Sequence, residues 1–166
     1  MQPTRRTAQL LHEDHRATMA MIEELETLIA KAGRTVPDAS DPVTNSFLSR
    51  LASAIETEVR DHFAFEENEL FTRLSEFGDG EIGAHLSDEH RAILPLGEQV
   101  ASLARASLAD GFDQQTWNAF KVPAGELIER LLAHIQKEEM ALLPMLDELL
   151  DAETDFALSE AYGTTT

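Results

Sequence analysis

The chain has 166 residues, 43% of them hydrophobic and 27% charged, and a formal net charge of −18. That length suits one well-buried domain rather than two, and the acidity argues against nucleic-acid backbones and anionic membrane surfaces as partners while favouring cations. With no cysteine, disulfides, thiolate zinc sites and iron–sulfur ligation are excluded, and no apolar run nears the ~20 residues of a membrane span.

Arg5-Arg6 resembles the start of a twin-arginine export signal. His12, Glu13, Asp14 and His15 stand where its apolar region should be, so a cytoplasmic location is expected. Residues 5 to about 32 read as the first helix, since Ala8, Leu11, His15, Ile22, Leu25 and Ile29 follow a 3.6-residue period. Gly33 is a C-cap, and 33–42 is a loop. Asp41-Pro42 pairs an N-cap side chain with proline at the first helical position and starts a second helix that runs to about Glu76. Its inner stripe is Leu48, Leu51, Ile55, Val59, His62, Glu66 and Leu70.

Gly78-Asp79-Gly80 opens a third helix, roughly 81–109, with Leu86, His90, Ile93, Gly97, Val100 and Ala104 in line. Pro95 inside it should kink the helix or remove a backbone hydrogen bond. The fourth helix begins between Asp113 and Pro123, where proline can divide a short turn around Trp117 from the main helix. Pro144 is expected to kink or end that helix. Asp151 to Tyr162 can form a short fifth helix, and Gly163 to Thr166 is expected to fray. No segment alternates with period two. The expectation is an all-α, up-down antiparallel four-helix bundle forming one domain over 1–166.

Two half-repeats stand out, about 5–77 and about 81–150, followed by a tail over 151–166. Asp61 to Leu74 aligns without gaps on Ala133 to Leu146, placing His62 on His134, Glu66 on Glu138 and Leu70 on Leu142. Upstream, Leu11 to Ala17 aligns on Leu86 to Ala92, placing His15 on His90. Each half therefore supplies one helix with a core-facing histidine and one with H-x3-E. Four residues is ~1.1 turns, so each histidine–glutamate pair projects from one face, ~6 Å apart along the axis. That face is the apolar one, where ionisable groups are expensive unless paired or metal-bound. A pseudo-twofold bundle brings all four stripes to one centre.

His15, His62, His90 and His134 offer neutral nitrogen donors, and Glu66 and Glu138 offer carboxylates able to bridge. This set is too large for one tetrahedral zinc and suits two metal ions. Lacking thiolates, it favours iron or manganese over a structural zinc. Ferritin-like bundles use E-x2-H pairs instead; the order here is reversed and richer in histidine.

The pattern H…H-x3-E…H…H-x3-E, with D-H-R-A near the start, E-H-R-A in the middle and H-I-Q-K-E-E near the end, resembles the hemerythrin-like, or HHE cation-binding, family from about residue 8 to 150. The resemblance implies a four-helix bundle with a non-haem di-iron centre. Carried over by motif position, its metal ligands are His15, His62, Glu66, His90, His134 and Glu138. Oxygen-carrying hemerythrins have a second histidine four residues from the one on the third helix, but residues 86 and 94 here are leucines. They also have an aspartate five residues after the last histidine, where this chain has Glu139. The chain is more similar to the branch linked to nitric oxide or peroxide response, iron-centre repair and catalase-like activity.

His12, one turn before His15, can be a seventh ligand or sit at the rim, while His85 lies ~140° from His90 and reads as a surface or capping residue. Asp14, Glu67, Glu89 and Glu139 neighbour the six and read mostly as solvated, with a hydrogen bond to a histidine as the alternative. Tyr162 can fold back as a ligand or proton donor, or remain in a mobile tail. Gly97 leaves room for a small ligand or allows close helix packing.

The expected function is a cytoplasmic protein with two iron ions that binds, senses or turns over O2, NO or peroxide, with catalase-like turnover as its possible enzymatic form. The alternative is a non-catalytic iron-handling module or a metal-dependent regulatory or structural bundle. A purely structural bundle with satisfied core histidines predicts no bound metal. Neither nucleic acid nor membrane is an expected partner.

Overall fold

A computed structural model describes residues 2–165 as helices joined by short connections. Helix α1 is Arg6–Ala32. A second rod joins α2 (Pro42–Ser53), α3 (Arg60–Phe65) and α4 (Phe71–Glu76) through π-helical turns at Ala54–Val59 and Glu66–Leu70. The third rod is α5 (Gly80–Asp110). The fourth joins α6 (Gln114–Lys137) to α7 (Leu143–Leu149) through a π turn at Glu138–Leu142, and α8 (Ala152–Thr165) follows. The chain is thus an all-α helical bundle, and no helix among the described residues is long and apolar enough to cross a membrane.

Polar pairs fix how the rods meet. Glu24 bonds Arg50 and Asp14 bonds His62; Glu56 bonds Arg105 and Glu67 pairs with His90. Glu89 pairs with His134 while His85 reaches Lys137, and His15 pairs with Glu138 while the Arg5 amide reaches Asp147. In every case one number rises as the other falls, so the rods in contact run antiparallel there.

Local chemistry explains the ends. The Asp41 carboxylate accepts from the Thr44 amide at 3.2 Å, with Pro42 in the first turn. Gly33 and Gly111 have φ of 54° and 74°, left-handed values that suit glycine, where the chain leaves α1 and α5. Asp113 and Thr116 form a reciprocal capping box, with amide-to-oxygen distances of 2.7 and 2.8 Å. That box starts α6 at Gln114, and the helix passes Pro123 without the separate turn expected around Trp117. Similarly, α5 continues through Pro95 and the fourth rod through Pro144 as far as Leu149. The expected fraying of the tail also gives way to helix through Thr165; Thr166 lies outside the described residues.

The π turns have a physical reason. His62, Glu66, Leu70 and Leu74 are all buried, as are His134, Glu138, Leu142 and Leu146, always in steps of four. On a straight α-helix each such step drifts ~40°, so three steps would carry the last residue out of the core. A wider i→i+5 turn absorbs the drift and keeps the stripe facing inward. The Thr57 hydroxyl donates to the Ser53 carbonyl at 2.7 Å, and Thr72 to the Asn68 and Glu69 carbonyls at 3.1 and 3.0 Å, adding side-chain bonds where the backbone ladder is irregular.

The interior has three layers. A large apolar cluster includes Leu48, Leu51, Val100, Trp117, Phe120 and Leu127. A smaller one includes Leu11, Phe65, Leu70, Leu86, Leu142 and Leu158. Between them lies a buried layer of histidine and glutamate. A Cβ on Gly97 would stand 3.1 Å from Ile55 Cγ2, so this glycine serves close helix packing.

Candidate metal centre

The polar layer draws one histidine from α1 (His15), one from α3 (His62), one from α5 (His90) and one from α6 (His134). Glu66 and Glu138 are each the first residue of a π turn. All six are buried, and both glutamates are 0% exposed. They fall into two overlapping donor groups, His15–His62–Glu138 and Glu66–His90–His134–Glu138, whose ligand atoms lie within 4.8 Å of one another. Glu138 belongs to both. Glu66 Oε1 also reaches across, 3.5 Å from His62 Nε2 and 3.2 Å from His90 Nε2.

Three of the four rings are aimed by a carboxylate behind them, and the fourth has one nearby. His62 Nδ1 bonds Asp14 at 2.9 Å, His134 Nδ1 bonds Glu89 at 2.9 Å, and His90 Nδ1 bonds Glu67 at 3.2 Å. His15 Nδ1 lies 3.3 Å from Glu139, close but outside hydrogen-bond geometry. A carboxylate only accepts, so Nδ1 carries the proton in the bonded rings and Nε2 turns a lone pair to the centre. His90 Nε2 and His134 Nε2 then stand 3.1 Å apart. Two lone pairs at that separation call for a cation or a proton between them.

The glutamates make the same demand. Both oxygens of Glu66 and Oε1 of Glu138 have no hydrogen-bond partner. Burial alone would raise the Glu138 carboxyl, but contacts with Glu66, His134, His15 and His62 hold it well below the usual carboxylate range. Burial likewise opposes charge on His15, yet Glu138 and Glu139 push it up to about 9. Against the cost of burial, neighbouring carboxylates likewise hold His62 and His134 above the usual imidazole range, and a bound metal would displace the protons these rings retain. Two carboxylates at the centre and four near the rings give this donor set a negative charge suited to a bound multivalent cation. Phe63 covers one side, stacked on His90 with centroids 3.8 Å apart and its edge toward His134.

The structure thus brings together all six residues expected from the sequence. His12 is outside both donor groups and pairs with Glu139; His85 is exposed, beside Glu89 and Lys137. Asp14, Glu67, Glu89 and Glu139 are half-buried ring partners rather than mostly solvated side chains. Their signal was present in the sequence: each adjoins one of the six, at matching positions in the two halves. Tyr162 does fold back, but onto Asp14 rather than into the donor set.

A cavity of about 480 Å³ reaches this layer from one side, and Asp14, His15, His62, Phe63, His134 and Tyr162 are among its walls. Comparison with protein families finds that the model for the hemerythrin HHE cation binding domain matches residues 6–146. Comparison with curated proteins gives no match.

Proposed function

The chain belongs to the hemerythrin HHE cation-binding family, and from that premise we propose that it holds two iron ions and binds, senses or turns over a small oxidant or diatomic ligand: O2, NO or peroxide. His15, His62 and Glu138 would hold one ion, and Glu66, His90, His134 and Glu138 the other. The observation that carries this reading is Glu66, wholly buried with neither oxygen hydrogen-bonded, facing imidazole nitrogens from two helices. Such a carboxylate is costly without a cation. Nitrogen and oxygen donors without thiolate favour iron or manganese over structural zinc.

When bound, the irons supply Lewis-acid and redox chemistry. The chain's own residues orient, exclude and accommodate. Asp14, Glu67 and Glu89 hold three rings in the tautomer that offers Nε2. Phe63 and the flanking apolar clusters keep bulk water away on the inner sides. The cavity beside His15 and His62 leaves room for a ligand of a few atoms.

Iron per chain, measured on protein purified without chelator, tests the reading. Close to two irons, lost together in the double variant His62→Ala, His134→Ala, is expected. One zinc, or no metal with the fold unchanged by the double substitution, would sink it. The non-catalytic alternative has its own support, since Asp14, Glu67, Glu89 and Glu139 all stand against histidine rings, the place of groups that orient ligands. Peroxide turnover by the iron-loaded protein separates the two.

A further inference from the structure

Helix α8 lies beyond residue 146, outside the family match. Asp155, Leu158 and Tyr162 share one of its faces, at spacings of three and four. Asp155 accepts from the Arg6 and Thr7 amides at the start of α1, both at 2.9 Å. Leu158 is buried in the smaller cluster, and the Tyr162 ring stands edge-on to Phe65 at 5.4 Å. The helix is therefore anchored at both ends, and the Tyr162 hydroxyl arrives 2.6 Å from Asp14 Oδ1. The other oxygen, Asp14 Oδ2, takes the 2.9 Å bond from His62 Nδ1. A chain of two hydrogen bonds thus runs from the C-terminal helix to an inward-facing imidazole.

The matching position in the other half is built differently. Glu89, which aims His134, is bonded by the Lys137 ammonium, a cation on the same rod as His134. Asp14 has instead a neutral hydroxyl delivered from a separate helix. Burial and the neighbouring Asp14 hold the Tyr162 hydroxyl well above the usual tyrosine range, so it stays a donor.

We propose that Tyr162 is a positioning residue for the metal centre, fixing Asp14 and through it the tautomer and orientation of His62, so that α8 makes the His15–His62 side of the centre distinct from the His90–His134 side. The proposal rests on the metal reading above for its consequence, but the hydrogen-bond relay belongs to the polypeptide alone. With its hydroxyl lost, Asp14 keeps one partner and gains freedom to rotate, and the His62 ring follows.

Tyr162→Phe keeps the ring against Phe65 and removes only the hydroxyl. In the metal-free full-length chain, nitrogen-15 NMR of the histidine rings should show His62 protonated at Nδ1. The variant should shift the His62 ring nitrogens and leave those of His134 in place. Asp14→Asn should shift His62 as well, and adding Tyr162→Phe to it should move His62 no further. In the iron-loaded chain, the variant should alter one of two Mössbauer doublets with iron content unchanged. It should also weaken iron binding by less than the ~10–100-fold expected for loss of the ring-aiming carboxylate in Asp14→Asn. Unchanged His62 nitrogens in Tyr162→Phe, or equal shifts at His62 and His134, would overturn the relay, as would a lowered melting temperature with both spectra unmoved. A wild-type chain that takes up no iron would defeat the functional reading alone, because the metal-free spectra still decide the relay.

Discussion

The same helical rods enclose two unlike interiors. Around Trp117, Phe120, Leu48 and Leu127 the core is apolar except for the Trp117 indole nitrogen, which is buried without a hydrogen-bond partner, and the side chains are at or near 0% exposure. About the middle of the bundle, four imidazoles and two carboxylates are buried to the same degree. The first arrangement is favourable by itself, at ~25 cal/mol per Å² of apolar surface removed from water. The second is not, because ionisable groups leave water for partners that satisfy only some of their atoms. The apolar region is thus placed to hold the fold, while the polar layer is a strained interior that the fold tolerates and a metal would relieve. Stability and function separate along the bundle axis.

Breaking the apolar region should do the most harm. Trp117 is fully buried, stacked on Phe120 with centroids 5.6 Å apart and packed edge-on by Phe112 at 5.1 Å. Trp117→Ala is expected to lower the unfolding free energy by about 3–5 kcal/mol, by the same amount with and without metal, as read by urea titration. A loss confined to the metal-loaded form would dissolve the contrast. Metal removal is the next largest effect: with free metal at ~100–1,000 times Kd, chelation should lower stability by about 3–4 kcal/mol. Glu66→Gln should erase most of that difference and reduce bound iron, while moving the metal-free midpoint little. If the variant matched wild type in both forms, Glu66 would not be part of the centre.

Much of this contrast was legible in the sequence, because it rests on periodicity. His15, His62, His90 and His134 sit in apolar stripes that can be counted, and Asp41-Pro42 marks a helix start with a known mechanism. The π turns were not legible as such. The run His134, Glu138, Leu142, Leu146 advances by fours, but an apolar stripe of that spacing also suits an α-helix whose buried face simply widens. The start of α6 was lost between two signals: Asp113 with Thr116 three residues on was the stronger, and Pro123 the more conspicuous. Pro123 is buried beside Phe120 and Ala124, where packing outweighs the missing backbone hydrogen bond. Tyr162 was hardest, since its place depends on α8 docking to a helix some 150 positions earlier.

That docking yields the smallest effect and bears on which interior α8 supports. Asp155 is buried and accepts from the Thr7 amide through Oδ1 and the Arg6 amide through Oδ2, with the Thr7 hydroxyl donating to its carbonyl at 3.2 Å. Those amides belong to the first turn of α1, which has no cap from its own N-cap residue, so the carboxylate is a cap supplied from another helix. Burial raises the Asp155 carboxyl, but the bonds from Thr7 and Arg6 outweigh it and leave it below its ordinary 3.8. A depressed folded-state value means the contribution is present above 3.8 and is lost as pH falls through the lower folded value. Asp155→Asn should therefore lower stability by about 1 kcal/mol at neutral pH, and the gap to wild type should close as the pH drops below 3.8. Because Asp155 and Tyr162 share a face of α8, the same substitution should also disturb the His62 ring nitrogens in part, while a Trp117 variant that still folds should leave them alone. A gap that stayed constant down to pH 2 would mean that the ionised Asp155 carboxylate is not the source of the loss, and a Trp117 variant that moved His62 as much as Asp155→Asn does would mean that the two interiors are one cooperative unit.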